Sequence, residues 1–305
     1  MRLCGVEFAI FGENHIIMKK LLFLIGILSF HFTFAQDNTE VYVFDISPSY
    51  EGLELLNVRN ISNNDGYDNQ PSFISNERLV FAGNNNGQTD ISEYNFTTNL
   101  RSWVNTPTEG SEYSPQKFPL SQDMAAVRFD KDGRQRLYRY DSKTGNSSEV
   151  IKDLQVAYFA FYEDYKMLAT VLDWEEMDLV TIDLQTKKVD TLFKGAGRSI
   201  QKIPKTDYMS YSLINNEGKL DLYIMDMNTK ESFFVCEIPK DVQDFVWLND
   251  TQILIGKGNK LYMYDTLGEA EWKKVASLEE FGITNISRMA VSPDGKKLAL
   301  VGEEN

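Results

Sequence analysis

The sequence predicts an all-β fold, a six-bladed β-propeller whose last blade is closed by two N-terminal and two C-terminal strands. Three observations predict it. A string of apolar, Tyr, apolar, aromatic and Asp, followed by a turn, recurs along the chain. Short runs that are apolar on both faces recur with it. The two ends of the chain carry complementary halves of the same repeat.

The string appears as Val41-Tyr42-Val43-Phe44-Asp45 and Leu137-Tyr138-Arg139-Tyr140-Asp141. It returns as Leu179-Val180-Thr181-Ile182-Asp183, Leu222-Tyr223-Ile224-Met225-Asp226 and Leu261-Tyr262-Met263-Tyr264-Asp265. A looser copy, Ile91-Ser92-Glu93-Tyr94-Asn95, ends in Asn. The repeat period is about 44 residues, and periods of about 40–45 residues with four short strands each mark propeller blades. With the strands of a blade lettered a to d outward from the axis, the string is strand c.

Strand b precedes it in each blade: Leu79–Phe81, Met124–Val127, Met167–Val171, Tyr208–Tyr211, Ile253–Ile255 and Leu298–Val301. Runs with apolar residues on both faces suit a sheet sandwiched between neighbours. A tight turn joins strands a and b, most clearly in Ser292-Pro293-Asp294-Gly295-Lys296, where Pro, Asp and Gly supply the turn chemistry. At the ends, Val41–Asp45 and Leu55–Ile61 read as strands c and d, while Arg288–Val291 and Leu298–Val301 read as a and b. Joined, they close the ring and hide two sheet edges. No stretch has sustained helical periodicity, and Ala276–Phe281 is at most one helical turn.

The 305 residues are 42% hydrophobic and 25% charged, a folded composition, with net charge -14. That balance argues against nucleic acid, which needs clustered positive charge. From Met18 the chain reads Met-Lys-Lys, then Leu21–Leu28, then Thr33, Ala35 and Gln36. This has the form of a secretory signal peptide over 18–35, with 1–17 an upstream extension outside the natural start and 36–305 a single propeller domain. The apolar run is too short for a bilayer core of about 30 Å, so no integral span is expected after cleavage; an uncleaved anchor is the alternative. Periplasmic or secreted localisation follows, and a monomer is expected.

Cleavage after Ala35 would discard His15, His31 and Cys4 and take the net charge to -15. Without histidine, Ser-His-Asp and Cys-His catalysis and histidine-ligated zinc fall away. Cys236, in the run Phe233–Cys236, reads as a buried small hydrophobe.

The repeats resemble the WD-like propeller repeats of the TolB type. The resemblance rests on Ser292-Pro293-Asp294-Gly295-Lys296-Lys297-Leu298-Ala299-Leu300, on Asp68-Asn69-Gln70-Pro71-Ser72-Phe73 at another blade's start, and on the strand-c strings. It implies a six-bladed propeller on the envelope side of a bacterial cell that binds something, a protein or another ligand. The α/β domain that TolB carries before its propeller has no counterpart here, and Pro-Asp-Gly survives in one blade.

The expected function is therefore an exported, non-enzymatic binding or scaffolding propeller, with no catalytic residues and no cofactor. Candidate binding residues lie on loops between strands b and c: Asp90, Asp130, Asp132, Asp173, Trp174, Glu175, Glu176 and Glu217. Trp174 between carboxylates could stack on a sugar or hold a cation. The loops Asn84–Asp90 and Asp130–Gly133 resemble calcium loops but lack the twelve-residue EF-hand pattern and its terminal Glu. The Asp residues ending strand c are expected to cap turns. Acids including Asp65, Asp68, Glu109 and Glu112 fall on the same end of the ring, so an acidic rim is expected to meet a partner with a basic surface. The alternative is a lactonase-like hydrolase with a divalent metal in the channel. The inner positions Gln70, Gln116, Tyr158, Gln201, Asp244 and Arg288 offer one carboxylate, a poor cage for such a metal.

Overall fold

The computed structural model describes residues 38–50, 52–173 and 176–304, so the expected extension over 1–17, the leader over 18–35 and the candidates Trp174 and Glu175 lie outside the described residues. The chain opens with β1 (Glu40–Ser49) and β2 (Gly52–Asn60). Blade 1 follows as β3 (Asn69–Phe73), β4 (Arg78–Asn85), β5 (Gln88–Asn95) and β6 (Leu100–Trp103). Blade 2 is β7 (Ser111–Lys117), β8 (Met124–Phe129), β9 (Gln135–Tyr140) and β10 (Ser147–Glu149). Blade 3 is β11 (Val156–Glu163), β12 (Lys166–Asp173), β13 (Glu176–Asp183) and β14 (Val189–Phe193). Blade 4 is β15 (Ala196–Lys202), β16 (Tyr208–Ile214), β17 (Leu220–Asp226) and β18 (Ser232–Glu237). Blade 5 is β19 (Val246–Trp247), β20 (Gln252–Lys257), β21 (Lys260–Asp265) and β22 (Lys273–Ser277). A 3-10 turn, Glu279–Phe281, leads to β23 (Ile283–Val291) and β24 (Lys297–Glu304).

The sixth sheet has the order β2-β1-β24-β23, so blade 6 takes two strands from each end of the chain, as the repeat register requires. β1 pairs with β24 antiparallel from Glu40↔Gly302 to Asp45↔Lys297, and the Tyr42 hydroxyl donates to Glu304 Oε1 at 3.0 Å. Val41, Val43 and Phe44 are fully buried there. The closure is thus a hydrogen-bonded seam and an apolar one.

The core is six layers, one per blade junction, and strand b explains why. Alternate residues of a strand point to opposite faces. In β4, Leu79 and Phe81 pack toward blade 6 while Val80 packs toward blade 2. In β20, Ile253 and Ile255 face blade 4 and Leu254 faces blade 6. In β24, Leu298 and Leu300 face blade 5 and Ala299 and Val301 face blade 1. A strand apolar on both faces is the consequence of having a neighbouring sheet on each side. Cys236 sits in the layer between blades 4 and 5, and burial pushes its thiol up to about 12. It is a packing residue.

The strand-c carboxylates cap their turns. Asp183 Oδ1 accepts from the backbone N–H groups of Gln185 and Thr186 at 2.9 and 2.8 Å, and Asp226 does the same for Asn228 and Thr229. Asn95 performs the same task for Thr97 and Thr98. Asp45 departs from the pattern. β1 runs on past it to Ser49, so no turn is there to cap, and its carboxylate instead takes hydrogen bonds from Asn57 and Lys297. Among the described residues, no helix is long and apolar enough to cross a membrane.

Candidate functional site

The inner strands surround a cavity of about 380 Å³ on the propeller axis. The six positions expected from the sequence all line it: Gln70, Gln116, Tyr158, Gln201, Asp244 and Arg288. Local backbone irregularity aims them. Register shifts interrupt the pairing between Asn69 and Ser72 in β3, Tyr113 and Gln116 in β7, and Ala196 and Ile200 in β15. Such bulges re-aim side chains at the rims of barrels and sites. Gln70 and Ser114 adopt left-handed φ of 55° and 51°, unusual for residues with a Cβ. Hydrogen bonds hold this strain in place: the Gln70 N–H donates to Asn69 Oδ1, and the Ser114 N–H donates to Gln70 Oε1 at 2.7 Å.

At the end of this cavity toward the d–a connections stands a charge cluster drawn from three blades. Asp244, just before β19, accepts from Arg198 Nε of β15 at 2.6 Å and from Arg288 Nη1 of β23 at 2.6 Å. Arg198 Nη2 also approaches the same carboxylate. The Arg288 guanidinium lies 5.3 Å from the centre of the Tyr158 ring. Burial, the largest single influence, works against the charge on Arg288, but Asp244, Tyr158 and Tyr67 together outweigh it and hold the guanidinium above its ordinary value. Tyr67 and Tyr113 meet edge to face at 5.9 Å. Burial pushes the Tyr67 phenol up to about 12, with Arg288, Tyr113, Tyr158 and Arg198 as its charged and phenolic neighbours. One side chain per blade therefore converges here: Tyr67, Tyr113, Tyr158, Arg198, Asp244 and Arg288. Two guanidiniums thus face one carboxylate. A smaller cavity of about 250 Å³ reaches Arg198, Asp244 and Arg288 from the other side.

Arg198 is not among the inner positions expected from the sequence, yet it lines the cavity. Counting evenly along β15 selects Gln201, because the shift between Ala196 and Ile200 is not visible in the sequence. A lone Arg after Gly195-Ala196-Gly197 was the available signal.

The channel does not offer the donor set of a divalent cation. Asp244, its carboxylate, is held by two arginines. Gln70 Oε1 is occupied by the Ser114 N–H, and Gln116 Nε2 is tied to the Phe159 carbonyl at 2.6 Å. With one carboxylate among the six inner positions, already held by two arginines, this lining falls short of the six to eight oxygens that calcium takes.

The loop candidates are dispersed among blades. Asp130 accepts from Arg128 Nε and Arg136 Nη1, both at 2.6 Å, and from the Tyr138 hydroxyl. Asp132 is gripped by Arg136, which lowers its carboxyl to about 2. Asp173 lies 3.9 Å from Lys194, and Glu217 lies 3.1 Å from Lys219. Glu176 is exposed at the start of β13. Asp90 is not a surface group: it is 3% exposed, inside the junction of blades 1 and 2, with Glu112 beside it. Asp68 is likewise buried, 3.6 Å from Arg101, and burial, more than any partner, lifts its carboxyl to about 6. Among the described residues, Asp130, Asp132, Asp173 and Glu217 thus each pair with a base of their own blade.

No protein-family model and no curated relative matches the chain. Solved structures do match its fold. A putative TolB from Agrobacterium tumefaciens superimposes with a TM-score of 0.63 at 11% identity, covering 87% of this chain and 98% of that one. A gluconolactonase from Xanthomonas campestris gives 0.61 at 9% identity, covering 88% and 96%. An oligogalacturonate lyase in complex with manganese gives 0.54 at 13% identity, covering 83% of each chain. The chain is thus a six-bladed propeller similar to TolB, lactonase and lyase propellers, and similarity at this level of identity is one of fold.

Proposed function

We propose that the protein is an exported, non-enzymatic binding propeller that takes an anionic ligand in its central channel. One observation carries the reading: Arg198 and Arg288 share the single carboxylate of Asp244 in the wall of the axial cavity, leaving one positive charge in excess. In a chain of net charge -14, that excess is local. Guanidiniums present forked donors that match carboxylates and related oxyanions. Gln201, Ser72 and Tyr158 around the same cavity supply polar groups to orient such a ligand.

The rim reading, a partner with a basic surface, has weaker support. Asp130 and Asp132 are already matched by arginine, and Asp90 is buried. The hydrolase reading lacks a fitting set of metal donors. A thermal-shift panel at low salt tests the proposal, pairing small carboxylates with their neutral amides. Stabilisation by the acids and not by the amides is expected. Equal response to both, or a response to cations alone, overturns it.

A further inference from the structure

Two carboxyl groups share one buried space between blades 1 and 2. Glu112 of β7 is 0% exposed and Asp90 of β5 is nearly as buried. Asp90 accepts from three amides: Gln88 Nε2 at 3.2 Å and Asn105 Nδ2 at 2.9 Å on Oδ1, and Asn85 Nδ2 at 2.7 Å on Oδ2. Glu112 Oε1 accepts from the Thr108 and Tyr140 hydroxyls at 2.7 and 3.0 Å. Glu112 Oε2 is buried with no donor. One bridge joins the two carboxyls: Gln88 Nε2 donates to both Asp90 Oδ1 and the Thr108 carbonyl at 3.2 Å, while the Thr108 hydroxyl donates to Glu112.

Among the described residues, the charged side chains of the surrounding elements are engaged elsewhere. Arg128, directly opposite Glu112 on β8, donates to Asp130 and Ser147 and covers the Tyr138 ring at 3.5 Å. Glu109 of the preceding loop pairs outward with Lys131 at 3.2 Å. From β9 the titratable neighbour is the Tyr140 phenol, already a donor to Glu112. Two neighbouring ionised carboxylates, buried and without a counter-charge, repel and are poorly solvated. Asp90 is ringed by amide N–H groups, which favour an anion at that position over a metal ion.

We propose that Asp90 and Glu112 share one proton at neutral pH, in an acid–carboxylate hydrogen bond that fastens blade 1 to blade 2 and is lost as the pH rises. The proton belongs on Glu112 Oε2, which then donates to Asp90. Burial, with the charge of Asp90 added, pushes the Glu112 acid up to about 8 from its ordinary 4.5, against the lowering effect of the Thr108 and Tyr140 hydroxyls. Between those values the folded chain holds a proton that the unfolded chain has released. Stability from this group is therefore greatest at and below the unfolded value and falls as pH rises toward 8.

The test compares the full chain with E112Q across pH 5 to about 9 by chemical denaturation. The amide makes the same donation to Asp90 and does not titrate. The folding constant of the wild type is expected to fall relative to the variant by up to about tenfold per pH unit. Parallel pH profiles overturn the proposal. So does stabilisation of the wild type at high pH by millimolar calcium that E112Q lacks, since a cation and not a proton would then bridge the pair. Where E112Q does not fold, infrared difference spectra of the wild type decide. A protonated-carboxyl band that bleaches on raising the pH from 6 to about 9 supports the shared proton, and its absence overturns it.

Discussion

Charged and polar groups do different work on the outer turns and on the inner strands. On the outer turns they bond locally: Asp183 and Asp226 each accept two N–H groups from the turn that follows within three residues. On the inner strands they bond across the ring: Arg198, Asp244 and Arg288 come from three blades and meet on one carboxylate. The lesson is that a repeated Asp marks the architecture, whereas an unrepeated charge at a repeated position marks the site.

The comparison can be broken at several strengths. The largest effect belongs to the longest-range contact, the seam between the two ends of the chain. A chain beginning at Gly66 lacks β1 and β2 and exposes β24, including fully buried Leu298, Leu300 and Val301. It is expected to aggregate or to melt without cooperativity, while a chain beginning at Asp37 melts as one unit. Equal, cooperative melting of both would remove the closure from the account.

Next comes Asp244→Ala, which leaves two guanidiniums facing each other in the channel. Breaking a buried pair in this way costs about 3–5 kcal/mol, so denaturant midpoints should fall markedly. Adding Arg198→Met to that variant should recover part of the loss, because one unpaired charge is removed with it. An additive double mutant would mean that the cluster is not coupled.

Smaller still is Asp226→Ala, which removes a cap from one outer turn. Its melting temperature should fall by no more than about 4 °C. The smallest effect is expected on the loops. Changing Asp173, Glu176 and Glu217 together to the amides should leave both melting and channel binding unchanged, since Lys194 and Lys219 are their only close ionic partners among the described residues. A loss of ligand binding in this triple variant would return the rim to consideration.

The fold was legible because strand b and strand c carry it in short-range patterns. A run apolar on both faces reports a sheet on each side, and an Asp ending the next strand reports a turn. The channel was half legible: even spacing along strand a found Tyr158, Asp244 and Arg288 but not Arg198, which the irregular start of β15 turns inward. The burial of Asp90 and Glu112 was not legible at all. Both sit where loop residues fall in the repeat, and only the packing of blade 1 on blade 2, with Asn105 and Thr108 folded over them, takes them out of water. Asp45 misled for a related reason, since nothing in its string shows that β1 continues past the blade.

The central claim, an anion held by the two channel arginines, is tested most directly by calorimetric titration of succinate and of its neutral diamide into the wild type and R288M. The account predicts that the acid binds the wild type, that the diamide does not, and that R288M loses at least about tenfold in affinity, the scale of one charge-assisted pair. Binding of acid and diamide alike, or acid binding untouched by R288M, would contradict it.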